Sequence, residues 1–169
     1  MGTEFTIRLA TAADAAIIAF HRARMFQDMD ELPGPAFELL RAQSETFLAD
    51  ALPRGEYVGW LAAPAAQPEE VAGGAGVQLR KVMPHPVPIS DGKVGVARGR
   101  HGIVLNVYTE PAWRRHGLAE QLMRHVLAWA REQRLDRLVL HASAEGRRLY
   151  QRLGFVPTNE MRFPGVLRP

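Results

Sequence analysis

The chain has 169 residues, 47% hydrophobic and 23% charged, the profile of an ordinary water-soluble domain large enough to bury a real core. It contains no cysteine, which excludes disulfides, thiolate metal sites and a cysteine nucleophile, and no apolar run near the ~20 residues of a membrane span. The net charge of +3 is unevenly spread: residues 1–84 hold 7 Lys/Arg against 11 Asp/Glu, net −4, and residues 85–169 hold 14 against 7, net +7.

A basic C-terminal half suits an anionic partner, either nucleic acid or a small phosphorylated ligand. The arginines show no aromatic interleaving and no single basic stripe, which disfavours nucleic acid. Lys81 and Lys93 are the only lysines, and this Arg- and Ala-rich composition points to a GC-rich bacterial genome. The first residues have neither a basic n-region nor an apolar h-region, so the expectation is a cytoplasmic protein without a signal peptide or membrane anchor.

In chain order, "FTIRLA" (5–10) predicts a short strand. Thr11 then caps a helix with Asp14 at the capping-box position, and Ala15, Ile18, Ala19 and Arg22 carry the helical pattern to about Met29. "DMDELPGP" (28–35) is a turn. A second helix carries Phe37, Leu40, Phe47 and Leu48 and ends before Pro53. Strands are predicted over 56–63 and 71–82, and a Pro/Gly-rich loop over 83–99.

"HGIVLNVYT" (101–109) has the continuous apolar character of a central strand. From Gly117 the period changes: Leu118, Leu122, Val126 and Ala130 sit four apart on one helix face running to about Gln133. A strand over 136–142, a short helix from Ser143 to Leu153 ended by Gly154, and a final strand region over 155–163 complete the chain. The order is β α α β β β α β α β, one α/β domain over 1–169 with a mixed sheet.

The junction "EPAWRRHGLAEQLM" (110–123) concentrates charge where a strand becomes a helix. A helix N-terminus has amides without intrahelical partners and about half a positive charge, so it binds anions. Gly117 and Ala119 keep bulk away from the amides of roughly 115–119, and Arg114 and Arg115 add charged donors. The stretch lacks both the P-loop and the G-x-G-x-x-G patterns, so it is either a different kind of pyrophosphate cradle or a solvated basic turn that caps a helix.

"PAWRRHGLA", Pro111 to Ala119, resembles the acetyl-CoA motif P-x-[YW]-R-x-x-G-[IL]-[AG] of the GNAT superfamily of acyl-CoA-dependent N-acyltransferases. "SAEGRRLYQRLGF", Ser143 to Phe155, resembles that family's second motif, and the element order matches over essentially the whole chain. The resemblance implies a single-domain fold in which strands 101–109 and 136–142 splay apart around acetyl-CoA as cosubstrate. It implies direct attack by a primary amine of a small-molecule or peptide acceptor, with no metal.

By the same resemblance, cofactor contacts come from Val107, Tyr108 and Thr109 on the strand, from Arg114, Arg115, His116, Gly117, Leu118 and Ala119 at the junction, and from Ser143, which can also cap its helix. A backbone N–H near Thr109 would hold the thioester carbonyl. Tyr150 matches the family tyrosine that protonates the departing thiolate. Gly146, one turn earlier, leaves that face clear for a cofactor arm.

The general base stays open among Glu110, Asp28, Asp30, Glu31, His21, His101, His141 and Glu160, with His21 slightly favoured because, in the fold that the resemblance implies, the first helix borders the acceptor cleft. Asn106 and Tyr108 alternate with Val107 and face the other side of the sheet from it, toward an acceptor pocket. The acidic turn "QDMDEL" (27–32) is either an ordinary solvated turn, as charge runs usually are, or a feature that attracts a cationic acceptor. The competing reading of the whole chain is a non-catalytic acyl-CoA-binding or sensor domain of the same fold, and a homodimer is one assembly open to it.

Overall fold

The computed structural model describes residues 4–163. A five-stranded mixed sheet runs in the order β1 (Phe5–Leu9), β2 (Tyr57–Pro64), β3 (Gly73–Lys81), β6 (Arg100–Thr109), β7 (Arg137–Leu140). All neighbours are antiparallel except β6 and β7, which are parallel. Helices α1 (Ala15–Asp28) and α2 (Phe37–Ala51) cover one face, and α3 (Leu118–Glu132) covers the other. The short α4 (Arg147–Arg152) follows β7.

Two segments differ from the sequence expectation. The loop over 83–99 contains a small hairpin, β4 (Pro86–Pro88) with β5 (Val94–Val96), turning through Asp91 and Gly92 at positive φ. Its prolines restrict it to three-residue strands outside the main sheet. The expected final strand over 155–163 is absent: those residues form no strand or helix, and Val156, Met161 and Phe163 are exposed. These residues do not pair with the outer edge of β7, where the sheet ends.

The chain enters α1 through a capping box that the sequence announces. The Asp14 carboxylate accepts the Thr11 amide at 2.7 Å and two bonds from Arg8. Arg8 holds the Asp14 pKa down to about 2. The apolar stripe of α3 packs Leu118, Leu122, Met123 and Val126 fully against Trp60, Ala62, Val77 and Val104. At ~1.5–3 kcal/mol for each large side chain, this face fixes where the α3 N-terminus lies. Among the described residues no helix is long and apolar enough to cross a membrane.

One irregularity shapes the sheet at the site. Gly74 pairs with Tyr108 and Gly76 with Leu105, so Asn106 and Val107 together face Ala75 in a β-bulge. Asn106 takes φ +56, a left-handed conformation that asparagine tolerates better than most residues. The extra residue keeps Leu105 and Asn106 both on the α1 face. Val107 then faces α3, and Tyr108 returns to the α1 face beside His21.

Candidate active site

The parallel pairing of β6 and β7 ends at Val104–Leu140, but β6 continues to Thr109. Residues 105–109 therefore present an open strand edge on that side. The chain turns through Pro111–Trp113 and reaches α3 with Arg115 at φ +69 and Gly117 at φ +77. The first backbone bond at this end runs from the Gln121 amide to the Gly117 carbonyl at 3.1 Å. The amides of Arg115 to Ala119 have no backbone acceptor among the described residues. A turn of this kind followed by a helix N-terminus forms an anion-binding concavity. A Cβ built on Gly117 meets nothing within 4 Å, so the space over the amides is open.

The predicted cofactor residues other than Ser143 gather on this edge and turn, with different roles. Val107, Tyr108 and Thr109 lie on the open stretch of β6. Leu118 is buried in the core, so only its backbone faces the turn. The His116 Nδ1 lies 2.8 Å from the Arg114 carbonyl, and its ring stands edge-on to Trp113. Arg114 bends away from the α3 amides: its Nε donates to the Thr109 carbonyl at 3.1 Å and its Nη2 binds Asp28. Its guanidinium also covers the Tyr108 ring at 5.7 Å. Arg114 thus straps the end of β6 to the end of α1.

Ser143 accepts the Gly146 amide at 3.1 Å, the capping role. Gly146 does not leave a channel for a cofactor arm, as its sequence position suggested. A Cβ there would stand 2.8 Å from the Tyr150 ring, so the missing side chain makes room for the ring itself. Tyr150 packs on Gly146 and edge-on to Phe155, with ring centroids 6.0 Å apart. Its hydroxyl has no hydrogen-bond partner among the described residues yet is not sealed from solvent. Burial pushes its pKa up, so at neutral pH it is a protonated donor without a committed acceptor.

On the α1 face, three of the eight candidate bases converge around Tyr108. The His21 ring lies 5.0 Å from the Tyr108 ring, and its Nε2 is 3.1 Å from the Glu110 carboxylate. That contact lacks hydrogen-bond geometry, and Nε2 is a buried nitrogen without a partner among the described residues. Burial of His21, 2% exposed, pushes its pKa down to about 4, so the imidazole is neutral at pH 7. Burial also pushes Glu110 up from its ordinary value. Asp28, the third, is held by Arg114, with Arg24 at 4.0 Å. The acidic turn therefore has one carboxylate tied into an internal pair, which weakens its attraction for a cation.

The other candidates lie elsewhere. His101 sits at the start of β6 against His85, ring centroids 4.8 Å apart. His141 and Glu160 are exposed at 3.8 Å from each other. Asp30 and Glu31 are exposed.

Sequence reasoning did not single out Tyr57, and it placed Arg22 only as part of a helical repeat. The Tyr57 hydroxyl accepts from Asn106 Nδ2 at 2.9 Å, and Asn106 Oδ1 accepts from Arg22 Nη1 at 2.8 Å. Gly76 makes the chain possible, because a Cβ there would stand 1.9 Å from the Tyr57 oxygen. These partners are 49 and 84 residues apart in sequence, and no local pattern connects them.

The same architecture recurs in solved structures. A GCN5-related N-acetyltransferase from Ralstonia eutropha JMP134 superposes with a TM-score of 0.80 at 26% identity, covering 95% of this chain and 98% of that one. A predicted acetyltransferase with acetyl-CoA from Clostridium acetobutylicum gives 0.75 at 24% identity, with 97% of each chain covered. Glucosamine-6-phosphate N-acetyltransferase from Arabidopsis thaliana shares the fold at 12% identity, TM-score 0.65, over 98% of this chain and 99% of that one. No curated protein sequence matches significantly. The model of the acetyltransferase (GNAT) family matches residues 17–155, a span that includes α1 from Ile17 onward, the strand-to-helix turn and Tyr150. The chain therefore belongs to the acetyltransferase (GNAT) family.

Proposed function

We propose that the protein transfers an acetyl group from acetyl-CoA to a primary amine of a small-molecule or peptidic acceptor by direct attack. The observation that carries this reading is the continuity of the open β6 edge at 105–109 with the unpartnered amides of Arg115 to Ala119. Those residues fit the cosubstrate. The amides and the clear space over Gly117 suit a pyrophosphate, and the backbone groups of Val107 and Thr109 suit the amide-bearing arm as an added strand would. Bound acetyl-CoA supplies an activated thioester.

The protein's own groups divide the proton work. Tyr150, protonated and unpartnered, donates to the leaving thiolate. Glu110, raised by burial toward the working pH and beside the neutral His21, accepts the proton that the amine must lose. Asp28 is less suited, because its charge is committed to Arg114. Arg114 keeps Tyr108 and Thr109 in place at the end of β6.

Release of free CoA from acetyl-CoA, measured against a panel of amines, polyamines, aminoglycosides, amino acids and peptides, tests the reading. Acceptor-dependent release supports it. Acetyl-CoA binding with no release on any acceptor overturns it in favour of a sensor domain.

A further inference from the structure

Arg22 is the unusual charge of the α1 face. It is half-buried, with its guanidinium 5.0 Å from the Phe26 ring centroid and its Nη1 fixed on Asn106. No carboxylate pairs with it among the described residues, whereas its neighbours on that face, Arg24 and Arg114, share Asp28. A guanidinium taken partly out of water without a counter-ion is costly. Its remaining nitrogens make no hydrogen bond to the described residues, and none is sealed from solvent.

The support beneath Arg22 is elaborate for a surface arginine. Gly76 admits the Tyr57 ring, the Tyr57 hydroxyl holds Asn106, and Asn106 in its left-handed bulge conformation presents Oδ1 to Arg22. Tyr57 is fully buried and its phenol is pushed up to about 12, so it stays neutral. Every group in this support is uncharged. It orients the guanidinium and leaves its charge uncompensated. Asn106 lies where β6 has outrun β7, two residues before Tyr108 on the same face.

We propose that Arg22 binds a carboxylate of the acceptor, so that the preferred substrate is a small primary amine carrying a carboxylate, such as an amino acid. A guanidinium with one edge anchored and the other accessible matches a single planar carboxylate. The neighbouring charges agree: Asp28 is already shared by Arg24 and Arg114 and is not spent on Arg22. This inference rests on the transfer reading above, and it replaces the cationic acceptor that the acidic turn suggested.

The test compares acceptor pairs differing only at the carboxylate, amino acids against their carboxamides, with aminoalkyl phosphates and polyamines as further arms. For the wild type kcat/KM is expected to be about 10- to 100-fold higher for the acid, the range of a charge-assisted bond. Arg22→Met removes that preference through KM while KM for acetyl-CoA holds, and Arg22→Lys restores part of it. Asn106→Asp, near-isosteric, gives Arg22 its own carboxylate and also removes the preference, which guards against a misfolded Met variant. Equal use of acid and carboxamide, or a phosphate or polyamine preferred over the carboxylate, overturns the inference while transfer stands. Calorimetry with amino acid and CoA reads the site without turnover. Arg22-dependent binding with no transfer keeps the inference and overturns the transfer reading.

Discussion

The buried, neutral His21 has a consequence for stability that can be worked out with its sign. In the unfolded chain it titrates near 6.5, and in the folded protein burial pushes its pKa down to about 4. The folded state thus resists a proton that the unfolded state accepts. Its contribution is fully present above pH 6.5 and is lost as the pH falls from 6.5 toward 4. At pH 5.0 the loss spans 1.5 pH units, which at about 1.4 kcal/mol per unit is ~2 kcal/mol relative to pH 7.5. Other groups titrate over the same range, so the measurement is a difference. Urea unfolding of wild type and His21→Gln at both pH values isolates the histidine, since Gln keeps a polar atom near the Nε2 position and carries no charge. The wild type is expected to lose ~2 kcal/mol more than the variant. Equal losses would refute the buried neutral imidazole. A wild type that loses less than the variant would mean that His21 and Glu110 form a true ion pair, reversing the sign.

Tyr150→Phe is expected to lower kcat by about 10²-fold or more, the scale of a general acid, with the KM for acetyl-CoA preserved; unchanged turnover across the pH range would remove the phenol from the reaction. Gly117→Glu puts bulk, a negative charge and a strained positive φ into the amide turn, so acetyl-CoA affinity measured by calorimetry is expected to fall at least tenfold, and normal affinity would defeat the cradle assignment. Glu110→Gln is expected to cut kcat/KM and flatten the acidic limb of its pH profile, while an unaltered limb assigns the base elsewhere. Gly76→Ala drives a methyl into the Tyr57 hydroxyl and is expected to cost about 1–3 kcal/mol in chemical denaturation, as overpacking does, with a rise in acceptor KM through Asn106 and Arg22.

The proposed donor side of the site was legible in the sequence because it is local. One strand, one turn and one helix start supply it, and backbone amides need only a glycine at 117 and an amphipathic period after it to announce themselves. The same holds for the α1 capping box, where Thr11 and Asp14 are three residues apart, and for the five main strands, whose apolar runs each had a partner edge to meet. Residues 155–163 show the limit of that reasoning: the apolar alternation is present, but a strand needs a neighbour, and the sequence does not say that the β7 side of the sheet stays open there. Gly146 shows a second limit, since a missing side chain marks space without saying what fills it, and here the filler is Tyr150 itself.

The proposed acceptor side is built from residues that meet only after folding. Arg114 reaches back 86 residues to Asp28, Arg22 spans 84 to Asn106, and Tyr57 spans 49 to the same side chain. Each alone looks like an ordinary surface charge or core aromatic. Their contrast carries the meaning. The Arg114–Asp28 contact cancels two charges and fixes the end of β6, whereas the Tyr57–Asn106–Arg22 chain is neutral up to its last member and leaves one charge standing. On a face where Arg24 and Arg114 share Asp28, a fold that supports Arg22 with a buried phenol and an amide keeps a cation in reserve for a ligand that brings its own anion.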